Sequence, residues 1–153
     1  MRKVFYQLPS KIDKYEAFKE IVSSCSIFEK LEDREDFLAK VISREHIQTT
    51  GIGHGVAIAH GMVKGGGEPL IALGYSEKGI VYDDVFPDEV HLIFIIASFE
   101  DDQNEYIKAV SSILSWVHDI NFREKLLGQI QSDKCQAFFT MLSEQNYHPL
   151  QKE

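Results

Sequence analysis

Val90-His91-Leu92-Ile93-Phe94-Ile95-Ile96-Ala97 is apolar at every position but His91. A strand with water on one face alternates polar and apolar residues, whereas a strand covered on both faces does not. The stretch therefore reads as a buried strand near the middle of a sheet. A sheet covered on both faces needs helices on each side, and the flanking sequence supplies them. Before the strand, residues 14–27 place Tyr15, Phe18, Ile21, Val22 and Cys25 on one helix face. Residues 33–44 repeat the pattern with Phe37, Leu38, Val41 and Ile42, and Asp33 is the expected N-cap, with Asp36 three residues on. After the strand, Ile107, Val110, Ile113, Leu114 and Val117 mark a third helix. A further helix is expected to open at Asn121 with Glu124, and a last one at Ser132.

Between the helices lie the partners of the buried strand. Gly55-Val56-Ala57-Ile58-Ala59-His60 reads as a short strand, and Gly61 with Gly65-Gly66-Gly67 as a loop. Residues 69–75 and 79–82 read as two more strands. Helices before and after a sheet give a layered α/β domain. No repeat, low-complexity tract or Pro/Ser linker divides the chain, so residues 1–153 are expected to form a single domain with its core at about 10–145.

Composition narrows the functions. A hydrophobic share of 44% with 26% charged residues is that of a globular protein. The net charge of −8 argues against non-specific nucleic-acid binding and against docking on an anionic membrane. No apolar run has the length of a membrane span, and MRKVFYQLPSKIDKYEAF lacks a secretory apolar core. A cytoplasmic location without membrane insertion follows as the expectation. Cys25 and Cys135, each placed in a helix, are expected to be buried reduced thiols, and no CxxC pair suggests structural zinc.

The densest departure from ordinary folding sequence is Arg44-Glu45-His46-Ile47-Gln48-Thr49-Thr50-Gly51-Ile52-Gly53-His54-Gly55-Val56-Ala57-Ile58-Ala59-His60-Gly61. Glycines beside a strand allow positive φ or a close approach of ligand to backbone. Exposed N–H groups there could hold an anion, and an upstream arginine could pair with phosphate oxygens. An imidazole between Ala59 and Gly61 would be reachable by a large partner. An anion or phosphoryl site and an unremarkable loop-strand junction are both consistent with these residues. No Gly-Lys-Ser/Thr follows the glycines, so the stretch is not a Walker loop, and it is not a dinucleotide fingerprint between strand and helix.

Residues 50–61 resemble the signature of the fructose/mannitol-type IIA domains of the bacterial phosphoenolpyruvate-dependent sugar phosphotransferase system, which include a nitrogen-regulatory branch. That pattern is Thr-Gly-Ile-Gly, a variable residue, Gly, an aliphatic run, Pro, His, Gly. An arginine about six residues upstream matches Arg44. The resemblance implies a three-layer α/β/α sandwich with a central mixed sheet of about four or five strands. It implies a cycle in which His60 accepts a phosphoryl group from HPr or a relative, with Arg44, Thr50, Gly53 and Tyr106 binding or positioning the phosphate. No metal or cofactor is required beyond the phosphoryl group drawn from phosphoenolpyruvate through HPr. The onward partner is a IIB domain or a regulated protein.

Four positions stand out against the pattern. Ala59 stands where proline usually precedes the histidine, leaving a freer backbone and one extra N–H. Tyr106 stands where many members carry a second histidine. Tyrosine donates a hydrogen bond, but with a pKa of ~10 it does not shuttle protons as histidine does. His54 occupies the variable position and reads as a loop residue, with a phosphate contact as the minority reading; His91 opens the buried strand and reads as a satisfied strand-end histidine, with a place flanking His60 as the minority reading. In a regular strand His54 and His60 would lie ~20 Å apart, too far to share a metal ion. His46, His118 and His148 read as surface groups, Glu100-Asp101-Asp102 as a helix N-terminus, and Asp83-Asp84 as a solvated turn. No IIB, IIC or HPr-like segment fits within the 153 residues. With Tyr106, that tilts the expectation from a sugar-uptake relay towards a nitrogen-regulatory carrier that signals by its phosphorylation state.

Overall fold

The computed structural model describes residues 5–9, 12–82, 89–121, 124, 125 and 128. The expected helices from Asn121 onward, Cys135, His148 and the Asp83-Asp84 turn fall essentially outside them.

Strand β1 (Phe5–Gln7) is followed by helix α1 (Lys14–Ser24). A reciprocal capping box starts α1: Asp13 Oδ1 accepts from Glu16 N–H at 2.8 Å, and Glu16 Oε1 accepts from Asp13 N–H at 3.1 Å. The helix stops at Ser24, short of the expected 27. Cys25, in extended backbone, is its C-cap, and a 3₁₀ turn at Ser26–Lys30 buries Ile27 and Phe28. Cys25 is thus a buried cysteine at a helix end, not inside a helix. Helix α2 (Arg34–Ile47) opens at Asp33, whose side chain accepts from Asp36 N–H as expected, and buries Phe37, Val41 and Glu45.

Then follow β2 (Gly51–Gly53), β3 (Val56–Val63), β4 (Leu70–Val81), β5 (Glu89–Phe99) and, after a 3₁₀ turn at Glu100–Asp102, helix α3 (Gln103–His118). The five strands form one mixed sheet in the order β1-β4-β5-β3-β2. The pairs β1·β4 and β3·β5 are parallel, and β4·β5 and β2·β3 antiparallel. The apolar stretch 90–97 is the middle strand, as its composition requires: Ile93, Phe94, Ile95, Ile96 and Ala97 are all wholly buried.

Helices cover both faces. A Cβ at Gly74 of β4 would meet Ile21 of α1, and one at Gly61 of β3 would meet Phe37 and Val41 of α2. Side chains alternate along a strand, so His60 points to the opposite face, where its ring meets Tyr106 of α3. The architecture is a three-layer α/β/α sandwich.

Two further sequence expectations are corrected. Gly61 is not in a loop but inside β3. A Cβ there would lie 2.9 Å from Phe37 Cε1, so its smallness is what lets α2 pack on the sheet. Residues 69–75 and 79–82 are not two strands but one, because the register against β5 shifts between Tyr75 and Ile80 and pairing resumes beyond the irregularity. Strands β1 and β2 were not foreseen. Each has three residues, too few for a readable alternation.

Candidate functional site

The approach to His60 is a tight hairpin. Gly53 pairs with Val56 across a two-residue turn, His54-Gly55, with φ of +58° and +75°. Positive φ at both central residues matches the right-handed twist of the strands it joins. Gly53 itself has φ of +92°. The glycines of the motif thus shape a turn that reverses the chain immediately before β3.

His60 lies beyond this turn, opposite Ile96 of β5, and its ring is partly exposed. Three surroundings define it. Its Nε2 is 2.7 Å from Ser98 Oγ, a buried hydroxyl on β5. Its face stacks on Tyr106, with ring centroids 4.1 Å apart and planes inclined by 19°. Desolvation, and after it the Arg44 charge, lower its pKa from 6.5 to about 4. The imidazole is therefore neutral at pH 7 and keeps a lone pair for attack on an electrophile. Burial also pushes the Tyr106 phenol up, against the opposing pull of Arg44.

Arg44 lies in the last turn of α2 and donates Nη1–H to Gln48 O at 2.7 Å. Among the described residues Gln48 O is its one hydrogen-bond acceptor, which leaves most of the guanidinium fork open to an anion. The fold thus brings Arg44, His60 and Tyr106 into one electrostatic neighbourhood.

Thr50, Gly53, His54 and His91 are placed differently. Thr50 is buried. Its hydroxyl lies 2.5 Å from Glu45 Oε1 and 2.7 Å from Tyr82 OH, and its N–H donates to Glu45 Oε2 at 3.1 Å. The side chain is committed to this network. Gly53 serves the hairpin and is exposed. His54 stands at the exposed turn, its ring edge-on to His118 at 5.7 Å between centroids. His91 does not flank His60. Parallel register sets Ile96, not His91, opposite His60, and five residues of β5 separate the two by about 16 Å. His91 Nδ1 instead lies 2.8 Å from Ser76 O, a satisfied strand-end histidine.

Two contributors were missed from sequence. Glu45 has a fully buried carboxylate that ties Lys14, Thr50 and Tyr82 together, with Lys14 Nζ at 2.9 Å. Its spacing from Phe37 and Val41 on the buried face of α2 is a signal that could have flagged it. Burial, then the Glu45 charge, pushes the Tyr82 phenol far up. Ser98 is the other. It ends the apolar run of β5 as the residue after Ala97, but only strand register reveals that it meets His60.

Among the described residues no group of three or more His, Cys, Asp or Glu side chains is placed to hold a metal ion, and no helix is long and apolar enough to cross a membrane. A recess of about 430 Å³ lies towards the start of α2 and the loop after β3, lined by both signs of charge, including Lys30, Asp33, Lys40 and Lys64. It does not include His60.

The profile of the phosphoenolpyruvate-dependent sugar phosphotransferase system EIIA 2 family matches residues 2–143. The chain is 31% identical over 121 residues to the fructose-specific EIIABC component of Bacillus subtilis (strain 168), covering 79% of this chain and 19% of that protein. It is 32% identical over 101 residues to the fructose-specific EIIA component of Haloferax volcanii, covering 64% of each. The chain thus spans about a fifth of the first relative and just under two thirds of the second. The nitrogen regulatory protein IIA-Ntr of Neisseria meningitidis shares the fold, with a TM-score of 0.67 at 24% identity over 79% of this chain and 86% of that one.

Proposed function

Since this chain belongs to the EIIA 2 family of the phosphoenolpyruvate-dependent sugar phosphotransferase system, we propose that it is a phosphoryl carrier whose acceptor is His60. The observation behind this reading is the neutral, partly exposed imidazole of His60, stacked on Tyr106 within the field of Arg44. A nitrogen lone pair of His60 attacks the phosphorus of a phosphohistidine on an HPr-like donor. The P–N bond of the donor breaks, and its electron pair returns to the donor imidazole. Arg44 balances the phosphate charge, and positioning with electrostatics supplies the catalysis. No metal enters this scheme.

In the reading we favour, the phosphorylated and free forms differ in the protein partners they bind, as in a nitrogen-regulatory-type IIA protein. Tyr106 supports it: the phenol fills the space against His60, and burial keeps its proton in place, so it cannot relay protons in onward transfer. The fructose-specific relatives favour a second reading, in which the phosphoryl group passes to a IIB domain for sugar uptake.

The test is incubation with phosphoenolpyruvate, Enzyme I and HPr. Acid-labile phosphate is expected on the wild type and not on His60→Ala. Absence from the wild type rejects the carrier reading and leaves an anion-binding family member. Addition of a IIB domain and sugar then separates the branches: onward transfer supports uptake, and retained phosphate supports signalling.

A further inference from the structure

The strand that carries Ser98 is apolar from Leu92 to Ala97, yet it places a hydroxyl, 1% exposed, against the imidazole of His60. Burying a hydroxyl without a partner is costly. Among the described residues, His60 Nε2 is the hydrogen-bond partner of Ser98 Oγ. The 2.7 Å separation also fixes which edge of the ring faces Ser98, because a flipped ring would set a C–H where C···O contacts run to about 3.3–3.6 Å.

Resting on the carrier reading above, we propose that Ser98 is a positioning residue that sets the tautomer of His60, its O–H donating to Nε2 so that the ring proton resides on Nδ1. The direction follows from what each alternative leaves unmade. If Nε2–H donated to Oγ, the serine O–H would have no acceptor in a buried site. If O–H donates to Nε2, only lone pairs of Oγ go unused, and unused acceptors are the better tolerated of the two. Tyr106 holds the ring plane, and Ser98 fixes its rotation and its proton. Nε2 then carries no proton to lose, but its lone pair is held by the Ser98 O–H, so the P–N bond forms there only when the imidazole turns away from Ser98 and this hydrogen bond breaks, which leaves the O–H free to turn towards a phosphoryl oxygen. The net proton count on His60 does not change in the step.

Ring ¹⁵N NMR of His60 at pH 7 tests this without any phosphoryl donor, so it is independent of whether the chain accepts phosphate. The wild type is expected to show one tautomer, with N–H on Nδ1. Ser98→Ala is expected to show exchange between both, and Ser98→Thr, which keeps the hydroxyl, to restore the single form. In the phosphorylation assay, Ser98→Ala is expected to lower the single-turnover rate about tenfold with the half-saturating donor concentration unchanged. A wild-type ring with N–H on Nε2 overturns the proposal even if no variant folds. So does a Ser98→Ala protein, folded by circular dichroism, whose tautomer matches the wild type. Loss of phosphorylation in the wild type would overturn the carrier reading alone.

Discussion

Lowering the pH from 8 to 3.5 perturbs one group of this site in a way the structure quantifies. Desolvation of His60 between β3, Tyr106 and Ser98, with the Arg44 charge nearby, moves its pKa from 6.5 to about 4. At pH 5.5 the folded ring is then about 3% protonated, against about 90% for a free imidazole. Below pH 6.5 the unfolded chain binds this proton and the folded chain does not. Stability therefore rises with pH across the window from about 4 to 6.5 and is flat above it. The full shift corresponds to about 3 kcal/mol, and because the ring is partly open to solvent about 2 kcal/mol is the working figure. An NMR titration of the His60 Cε1–H should give a midpoint near 4. Urea unfolding should show the wild type losing about 2 kcal/mol more than His60→Gln between pH 7 and pH 4. A midpoint near 6.5, or parallel pH dependence in the two proteins, would refute the claim that packing and Arg44 hold this imidazole neutral.

Arg44→Gln removes a charge that depresses the His60 pKa, so the NMR midpoint should rise, while phosphoryl uptake in a single-turnover assay should fall about a hundredfold. Gly61→Ala puts a methyl 2.9 Å from Phe37 Cε1 and 3.2 Å from Val41 Cγ2, and urea unfolding should report a loss of about 1–3 kcal/mol; no loss would mean that α2 can shift freely off the sheet. Glu45→Ala leaves Lys14, Thr50 and Tyr82 without their shared carboxylate. It should cost about 3 kcal/mol by the same measurement, the low end for a broken buried pair because Lys14 is 17% exposed; a loss under ~1 kcal/mol would show the network to be dispensable.

The sequence by itself determined the parts whose signal is local. An unbroken apolar run means burial on both faces, and 90–97 became the middle strand. Asp33 and Asp13 cap helices through groups three residues away, and the cap at Asp33 with three helical faces could be placed in advance. The motif around His60, with Arg44 upstream, marked a candidate site because its glycines and imidazole are unusual neighbours within one short segment, and only the resemblance to IIA domains chose the phosphoryl reading over an ordinary loop-strand junction. What only the tertiary structure decided depends on register. Pairing of His60 with Ile96 put His91 far along β5 and brought Ser98, 38 residues away, onto the imidazole. The two sides of β3 sent Gly61 to α2 and His60 to α3. The buried carboxylate of Glu45 drew Thr50 into a structural network and away from direct contact with the site. A strand's alternation tells which residues share a face, but not which residue of another strand lies opposite. That choice is made by packing of the whole sheet, and it is there that the surroundings of His60 were set.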